Sequence, residues 1–249
     1  MTTHPIVSSD VWLEARRDLL AAEKDLARRS DRVADLRRRL PWVRVDTPYV
    51  FDAPGGPVTL ADLFAGRRQL LVQHFMFGPG WEQGCPSCSF MADHADGMTA
   101  HLANRDLAFA AVSRAPINEI ERFRRRMGWQ FSWVSSHANG FNHDFGVSFT
   151  PEAVAAGDVS YNFTKQSRIG QEMPGLSMFF KDEAGSIYRT YSTYGRGVEA
   201  MIGAYRLLDL APMGRDEDGL DYTMQWVRHR DRYEMSSPAQ AATCCGGRA

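Results

Sequence analysis

The sequence predicts an α/β protein with a central mixed sheet flanked by helices. Between residues 69 and 135, apolar runs of strand length alternate with amphipathic segments of helix length, an order that places the strands in parallel. Two further apolar runs flank Asp182-Glu183-Ala184-Gly185 and predict a closing hairpin of antiparallel strands. The chain has 249 residues, of which 44% are hydrophobic and 24% charged, so it is large enough to bury a substantial core.

Composition argues against several classes of function. The formal net charge of -1 gives no overall field toward nucleic acid or anionic membranes, so we expect neither as a partner. No apolar run approaches the roughly 18 residues of a membrane span, and the first residues lack the basic and apolar regions of a signal peptide. We therefore expect a cytoplasmic protein, in which four cysteines are too few for a disulfide framework.

Residues 1–45 are predicted to form a helical arm. One helix spans residues 10–40, where Asp10 can cap the start and Pro41 stops the end. Apolar residues recur at every seventh position, namely Trp12, Leu19, Leu26, Val33 and Leu40. We interpret this row as a face that packs along the domain's own core. The alternative is a homodimer seam, which Arg29 at the second seam position weakens.

The main domain is predicted over residues 46–212, and its elements follow in order. Strands are expected at 49–52, 58–60, 69–77, 107–113, 131–134, 176–181 and 186–191, a helical turn at 61–66, and helices at 89–103, 117–127 and 198–210. A loop-rich insertion at 136–172 is expected to cover the site. Within it, His143 and Asp144 are candidates for a base and its orienting group, or Asp144 caps a turn.

The C-terminal extension, residues 213–249, is charged and predicted to be partly disordered. It carries the adjacent pair Cys244-Cys245. A tail of this length can reach the main domain, which suggests an internal thiol relay or capture of a soft metal. The alternative is a free tail whose cysteines are incidental.

The most informative motif is the pair Cys85 and Cys88 in the run Cys-Pro-Ser-Cys. The motif follows an apolar strand and a Gly/Pro loop and opens a helix, where partial positive charge and unpaired N–H groups stabilise a thiolate. Cys85 is the candidate nucleophile, with its pKa lowered from about 8.5 toward neutrality. Pro86 fixes the first turn, and Cys88 is the candidate resolving thiol one turn later.

The same two cysteines have two other interpretations. They are half of a metal site, for which His74 and His94 are the nearest histidines in sequence, or they are structural thiols. Because His74 lies in an apolar strand and His94 on a predicted helix surface, we expect no metal and no cofactor.

Several stretches together are specific to one protein family. They are HFMFG at 74–78, GCPSCSF at 84–90, VSRAP at 112–116, MGW at 127–129, DFGVSF at 144–149, PGLS at 174–177 and YSTY at 191–194. Over most of residues 10–233 the chain resembles a bacterial thioredoxin-like family catalogued as a domain of unknown function, number eight-nine-nine. The resemblance implies a thioredoxin-like fold, a redox-active dithiol and a cis peptide bond before Pro174.

The resemblance also implies supporting residues around the dithiol. A cis Pro174 would place the backbone of Met173 against the two sulfurs, where it could bind an extended substrate strand. Thioredoxins carry a tryptophan next to the first cysteine, where this chain has Gly84, and Trp81 replaces it from a nearby position. Trp81 and Met173 are therefore candidate supporting residues. Pro86, Ser87 and Arg114 are further supporting candidates, and Cys85, Cys88 and Pro174 are the candidate catalytic residues.

We expect a thiol–disulfide oxidoreductase acting on a protein or small-molecule thiol or disulfide. A second interpretation is a peroxiredoxin-like thiol peroxidase, because residues 58–66 resemble the N-terminal segment of peroxiredoxins. Those enzymes carry Thr or Ser three residues before the reactive cysteine, whereas this chain has Glu82, whose charge would oppose a thiolate. Arg114 or Arg168 could supply a cation. A third interpretation is a non-catalytic binding or metal-binding module.

Overall fold

The computed structural model describes residues 4–167 and 169–234, and the chain divides into two units, residues 1–43 and 44–249. The first unit consists mainly of helix α1, Ser9–Arg38. Its N-terminus is capped by the Ser8 hydroxyl, which accepts the backbone N–H of Val11 at 3.4 Å. The predicted long helix is therefore present, and none of its 30 residues is buried.

The second unit contains the predicted mixed sheet. Its strands are β1 (Val43–Arg44, at the division between the units), β2 (Val50–Ala53), β3 (Gly56–Thr59), β4 (Gln69–His74), β5 (Leu107–Ser113), β6 (Ser132–Ser135), β9 (Gly175–Lys181) and β10 (Ile187–Tyr194). The strand order is β1-β10-β9-β4-β5-β6-β2-β3. A separate hairpin is formed by β7 (Val159–Tyr161) and β8 (Thr164–Gln166).

The sheet and its helices have the thioredoxin-like arrangement that the sequence predicts. Strand β4 pairs in parallel with β5, and β5 with β6, while β9 is antiparallel to both β4 and β10. Helix α2 (Pro86–Asn104) connects β4 to β5, and α3 (Ile117–Met127) connects β5 to β6. Parallel neighbours require such helical crossovers, which is why the alternation in the sequence indicated the fold.

The core lies on both faces of the sheet. On β4, Leu70 and Val72 enter one cluster with Phe51 and Phe64, whereas Leu71 packs against the other. The second cluster holds α2 and α3 against the sheet through aromatic side chains, namely Phe75, Phe77, Phe123, Trp129 and Trp133. The two-residue period of an extended strand thus divides its side chains between the two layers.

The last predicted helix, 198–210, is not continuous. A 3-10 turn spans Gly195–Met201, and α6 then covers Gly203–Leu208. Ile202 has a non-helical backbone, with φ -100° and ψ 85°, and Gly203 is the first residue of α6. The predicted helix is therefore interrupted at these two residues, and glycine disfavours a helix interior by about 1 kcal/mol relative to alanine. The remaining 3-10 turns are Asp62–Phe64 and Arg230–Arg232.

The insertion at 136–172 is more ordered than its loop-rich sequence suggested. It forms α5 (Pro151–Ala156) and the β7–β8 hairpin around a third apolar cluster, and α4 (Phe141–Asp144), whose Phe141 enters the cluster that contains Leu70 and Val72. Asp144 accepts the Tyr49 hydroxyl at 2.6 Å, and His143 Nδ1 lies 2.9 Å from the carbonyl oxygen of Ser148. Both side chains therefore have structural partners, which favours structural roles over a base and its orienting group.

Part of the C-terminal extension packs closely on the second unit. Val227 and His229 are buried, and Arg126 of α3 forms a two-pronged ion pair with Asp231, with both N···O distances at 2.8 Å. Cys244 and Cys245 lie outside the described residues. Within residues 4–167 and 169–234, no helix has both the length and the apolar character needed to cross a bilayer.

Candidate active site

Helix α2 begins directly after Cys85, which occupies its N-cap. Pro86 stands at the first helical position, where a missing N–H removes no helical hydrogen bond. The Cys85 N–H instead donates to the Met76 carbonyl at 3.0 Å, just beyond the end of β4. The sheet therefore fixes the position at which the first cysteine enters the helix.

The thiol of Cys85 is surrounded by hydrogen-bond donors. The Cys88 thiol, the backbone N–H groups of Cys88 and Ser87 and the Ser87 hydroxyl lower the pKa of Cys85 to about 7, against an opposing contribution from burial. The residue keeps partial solvent exposure. Donors that converge on a thiolate stabilise it over the neutral thiol, and this is the arrangement that makes a cysteine nucleophilic near neutral pH.

Cys88 has the opposite environment one turn further along α2. Its side chain is buried, and its sulfur accepts the Met76 N–H at 3.5 Å. Burial and the neighbouring Cys85 raise the pKa of Cys88 well above its ordinary value. The Gln73 side-chain amide donates to the Cys88 carbonyl at 3.0 Å and holds this turn against β4. Both thiols are free, so the structure shows the reduced dithiol.

Gly84, the residue before Cys85, is fixed by close packing and by a hydrogen bond. A Cβ on Gly84 would lie 2.6 Å from Phe75 Cε1 and 2.8 Å from Phe123 Cε1, so only glycine fits between these rings. The Gly84 carbonyl accepts Nε2–H of the buried His229 at 2.8 Å. Sequence analysis missed His229, because no local pattern in the charged extension marks a residue that contacts a loop 145 positions away.

The expectation of a cis bond before Pro174 is wrong, because the described residues contain no cis peptide bond. The Met173 N–H donates to the Val147 carbonyl at 2.8 Å, and the Pro174 carbonyl accepts the Tyr161 hydroxyl at 2.8 Å. The insertion thus binds the backbone groups of this segment itself. The Met173 N–H that was expected to bind an extended substrate strand is already used within the chain.

Tyr161 connects this segment to the residue that follows β10. Its hydroxyl also accepts the Gly195 N–H at 2.8 Å. Burial raises the pKa of Tyr161 to about 12, and the charge of the nearby Cys88 contributes to the rise. Tyr161 is a second residue that the sequence did not single out, since a lone tyrosine in a predicted loop carries no signal of its own.

Arg114 does not pair with the thiolate in this structure. Its Nη1 lies 2.9 Å from Glu172 Oε1, and Glu172 Oε2 accepts the Ser148 hydroxyl at 2.6 Å. Burial raises the pKa of Glu172, although Ser148 and Arg114 oppose the rise. Arg168, the other candidate cation, lies outside the described residues.

Trp81 lies next to the ion pair of Arg114 with Glu172, in the loop that precedes α2. Its indole lies against Gly78 and lines an open cavity of about 370 Å³ together with Pro79, Gln171 and Glu172. Glu82, three residues before Cys85, is exposed. The loop between β4 and α2 therefore presents Trp81 and Glu82 at the surface.

The described residues offer no metal centre. Within the ranges 4–167 and 169–234, no three His, Cys, Asp or Glu side chains are grouped so that they could hold an ion. The buried His74 has Nε2 2.9 Å from the Ser177 hydroxyl, and burial lowers its pKa to about 3. His94 is half-buried rather than on the surface, and its Nε2 accepts the Ala204 N–H at 3.0 Å. His94 therefore uses both ring nitrogens in hydrogen bonds, with Nδ1 2.7 Å from the Phe90 carbonyl oxygen, and His74 uses Nε2.

Comparison with known proteins identifies one family. The family described as "Bacterial protein of unknown function (DUF899)" matches residues 1–233. No curated protein matches the chain.

Solved structures with a similar fold include three bacterial proteins. Peroxidoxin BcpB from Mycobacterium tuberculosis is 13% identical, with a TM-score of 0.44, and the match covers 66% of this chain and 96% of that one. A mutant of Xanthomonas campestris peroxiredoxin Q is 13% identical, with a TM-score of 0.41, over 64% and 90% of the two chains. A putative thiol:disulfide interchange protein DsbE from Chlorobium tepidum is 13% identical, with a TM-score of 0.41, over 66% and 97%. At this level of identity, such likenesses concern the fold alone.

Proposed function

The chain belongs to the bacterial family that matches residues 1–233, and from the geometry of its dithiol we propose that it is a thiol–disulfide oxidoreductase. The single observation that carries the proposal is the contrast between Cys85 and Cys88. One thiol stands at a helix N-cap with a pKa lowered to about 7, and the other is buried with a raised pKa.

This contrast assigns a different role to each sulfur. Because its pKa is lowered toward neutrality, Cys85 carries thiolate near neutral pH and attacks a disulfide first. Cys88 stays protonated until its neighbour has reacted, and its S–H stabilises the Cys85 thiolate in the resting state. Once Cys85 is bonded to substrate, that thiolate no longer raises the pKa of Cys88, and Cys88 can lose its proton to solvent more easily.

The proposed reaction has two exchange steps. The Cys85 thiolate attacks one sulfur of the substrate disulfide, forms a mixed disulfide and releases the other sulfur as thiolate. The Cys88 thiolate then attacks Cys85, which forms the Cys85–Cys88 disulfide and releases the second substrate thiolate. The substrate gains two electrons and the protein loses two, and an external dithiol restores the reduced protein by the reverse exchange.

The surroundings of the dithiol favour a compact substrate. The Met173 N–H and the Pro174 carbonyl are hydrogen-bonded within the chain, so they are not free to align an extended peptide. A small-molecule disulfide or an exposed protein disulfide needs no such strand pairing. The proposed reaction requires a reducing compartment such as the cytoplasm, where the dithiol is kept ready to attack.

A trapping experiment tests the proposal. The reagent is an aromatic disulfide, and the background is Cys244→Ser/Cys245→Ser, so that only the dithiol reacts. Cys88→Ser is expected to retain a stable mixed disulfide at Cys85, whereas the parent protein passes through that adduct to the Cys85–Cys88 disulfide with release of two aryl thiolates. Mass spectrometry of the peptides locates the adduct. An adduct that persists in the parent, or none at Cys85, would overturn the proposal.

The same protein distinguishes the peroxidase alternative. With hydrogen peroxide in place of the disulfide, a thiol peroxidase would consume peroxide far faster than the uncatalysed reaction of a thiolate, with sulfenic acid trapped at Cys85 in Cys88→Ser. We expect slow reaction with peroxide and fast reaction with disulfide. The reverse order would assign the dithiol to peroxide reduction.

A further inference from the structure

Helix α1 carries a row of exposed apolar side chains. Trp12, Leu19, Leu26 and Val33 are between 44% and 68% exposed, and none of the helix is buried. The row repeats every seven residues, as in helices that pack lengthwise against another helix. Thirty residues make about four heptads, long enough for a stable helix pair.

We propose that α1 pairs with α1 of a second copy of this chain in an antiparallel coiled coil. In heptad terms Trp12, Leu19, Leu26 and Val33 occupy the first seam position. Ala15, Ala22, Arg29 and Leu36 occupy the second. This inference is independent of the proposed chemistry at the dithiol.

The position of Arg29 decides against a parallel pair. In a parallel coil, each second seam residue faces its own copy, which would place two guanidinium groups together in the apolar seam. In an antiparallel coil, Arg29 faces Leu26 of the second copy. Its aliphatic stem can then cover the leucine while the charged end reaches solvent at the edge.

The charges that flank the seam support the same orientation. The flanking position before the first seam residue is acidic at Asp18 and Asp25, which precede Leu19 and Leu26, and basic at Arg32 and Arg39, which precede Val33 and Leu40. When Leu19 packs against Leu36 of the second copy, Asp18 lies beside Arg39 and Asp25 beside Arg32. Two-fold symmetry repeats each pair, which gives four attractive contacts.

A parallel pair would have like charges at these positions. It would bring Asp18 beside Glu23 and Arg32 beside Arg37 of the second copy, each pair twice. The antiparallel pair has one kind of unfavourable contact, between Arg16 and Arg37 of the second copy, which occurs twice. Arg16 already lies 2.8 Å from Glu23 of its own helix, which reduces that repulsion.

The test is the dissociation constant of the full chain, measured by sedimentation velocity under reducing conditions. The wild type is expected to dimerise. Asp18→Arg/Asp25→Arg is expected to weaken the dimer by about tenfold or more, because four attractive pairs become repulsive. Adding Arg32→Asp/Arg39→Asp to that variant reverses both partners and is expected to restore the affinity to within about threefold.

A matched control separates the seam from net charge. Asp31→Arg/Asp35→Arg makes the same change in charge on the opposite face of α1. Each variant also loses one ion pair within the helix, Asp35 with Arg38 in the control and Asp25 with Arg28 in Asp18→Arg/Asp25→Arg. Its dissociation constant is expected to stay close to that of the wild type. Circular dichroism shows whether each variant keeps its helix.

Three outcomes would overturn the proposal. The first is a wild type that stays monomeric at about 100 µM, where a specific dimer of even weak affinity is populated. The second is a tighter dimer in Asp18→Arg/Asp25→Arg. This result would indicate a parallel pair, in which the new positive charge at position 18 would lie beside Glu23 of the second copy. The third is an equal loss in the Asp31→Arg/Asp35→Arg control, or no recovery in the fourfold variant.

Discussion

His229 donates its Nε2–H to the carbonyl oxygen of Gly84 across 2.8 Å and so holds the peptide bond that leads into Cys85. Arg126 Nη2 lies 3.5 Å from the other ring nitrogen, Nδ1. Because a guanidinium can only donate, Nδ1 is the acceptor and Nε2 carries the proton. Burial lowers the pKa of His229, which keeps the ring neutral in this tautomer. The C-terminal extension thereby takes part in positioning the candidate nucleophile.

Replacing His229 tests this positioning role. His229→Ala removes the donor and leaves the buried Gly84 carbonyl unpaired, so we expect a loss of about 1–3 kcal/mol in the free energy of unfolding. We also expect slower alkylation of Cys85, since its N-cap geometry loosens. His229→Gln, whose amide can reach the same carbonyl, should recover part of both quantities.

The matched control for His229 is His101→Ala, at an exposed histidine in the last turn of α2. It should leave the urea midpoint and the Cys85 alkylation rate nearly unchanged. If His229→Ala lowered stability but left the alkylation rate as in the wild type, the bond to Gly84 would be structural only.

Gly84→Ala should lower the free energy of unfolding, whereas Gly97→Ala in α2 should raise it. Gly84→Ala forces a Cβ to within 2.6 Å of the Phe75 ring, so the two aromatic rings or the loop must move. We expect destabilisation of about 1–3 kcal/mol, as for overpacked cores. Gly97→Ala in α2 meets no atom within 4 Å and should stabilise the protein by about 0.5–1 kcal/mol. Urea denaturation of both variants gives the comparison, and equal effects of the two would contradict the packing described here.

The features that the sequence predicted correctly are those set by neighbouring residues. The order of strands and helices follows from local periodicity, and the N-cap position of Cys85 follows from a proline at the first turn after a strand and a Gly/Pro loop. A single thiol at a helix start is stabilised by groups within three residues, so its lowered pKa was also predictable.

The features that it did not predict depend on contacts between distant segments. The trans bond before Pro174 accompanies the hydrogen bond from Met173 to Val147, in an insertion whose own fold is set by a separate apolar cluster. Arg114 was available to pair with any nearby anion, and only the packing of the chain determines that its partner is Glu172. Periodicity and short motifs contain no information on such pairings.

The pH dependence of alkylation should report the Cys85 thiolate directly. Because the pKa is lowered to about 7, the rate with iodoacetamide should rise with pH and reach half its maximum near pH 7, rather than near the ordinary value of about 8.5. Cys88→Ala removes the donor with the largest effect and should move the midpoint above about pH 8. The readout is the mass of the peptide that contains Cys85.

A control for this profile is Ser89→Ala. The Ser89 hydroxyl donates to the Cys85 carbonyl at 2.9 Å and not to its sulfur, so the midpoint should not move. A wild-type midpoint near pH 9 would show that the helix start does not stabilise the thiolate.

Removing Arg114 should affect stability and leave the dithiol unchanged, because its partner is Glu172. In Arg114→Ala a mostly buried carboxylate loses its cation, which costs about 2–4 kcal/mol at pH 8, somewhat below the range for fully buried pairs. Arg68→Ala is the matched control, since the 2.9 Å pair of Arg68 with Asp106 is exposed and should matter much less. The Cys85 alkylation midpoint should be the same in all three proteins.

The sign of the pH dependence follows from the direction of the Glu172 shift. Burial already raises the pKa of Glu172, and loss of Arg114 raises it further, so the folded variant binds a proton more tightly than the unfolded chain does. The loss in free energy of unfolding of Arg114→Ala is therefore smallest below the pKa of Glu172 in the unfolded chain, about 4.3. It grows as the pH rises through the pKa of Glu172 in the folded variant. Urea denaturation at pH 5 and pH 8 should show a smaller deficit for Arg114→Ala at the lower pH, and adding Glu172→Gln should remove that difference. A deficit independent of pH would mean that Arg114 stabilises the fold through its packing and not through the charge of Glu172.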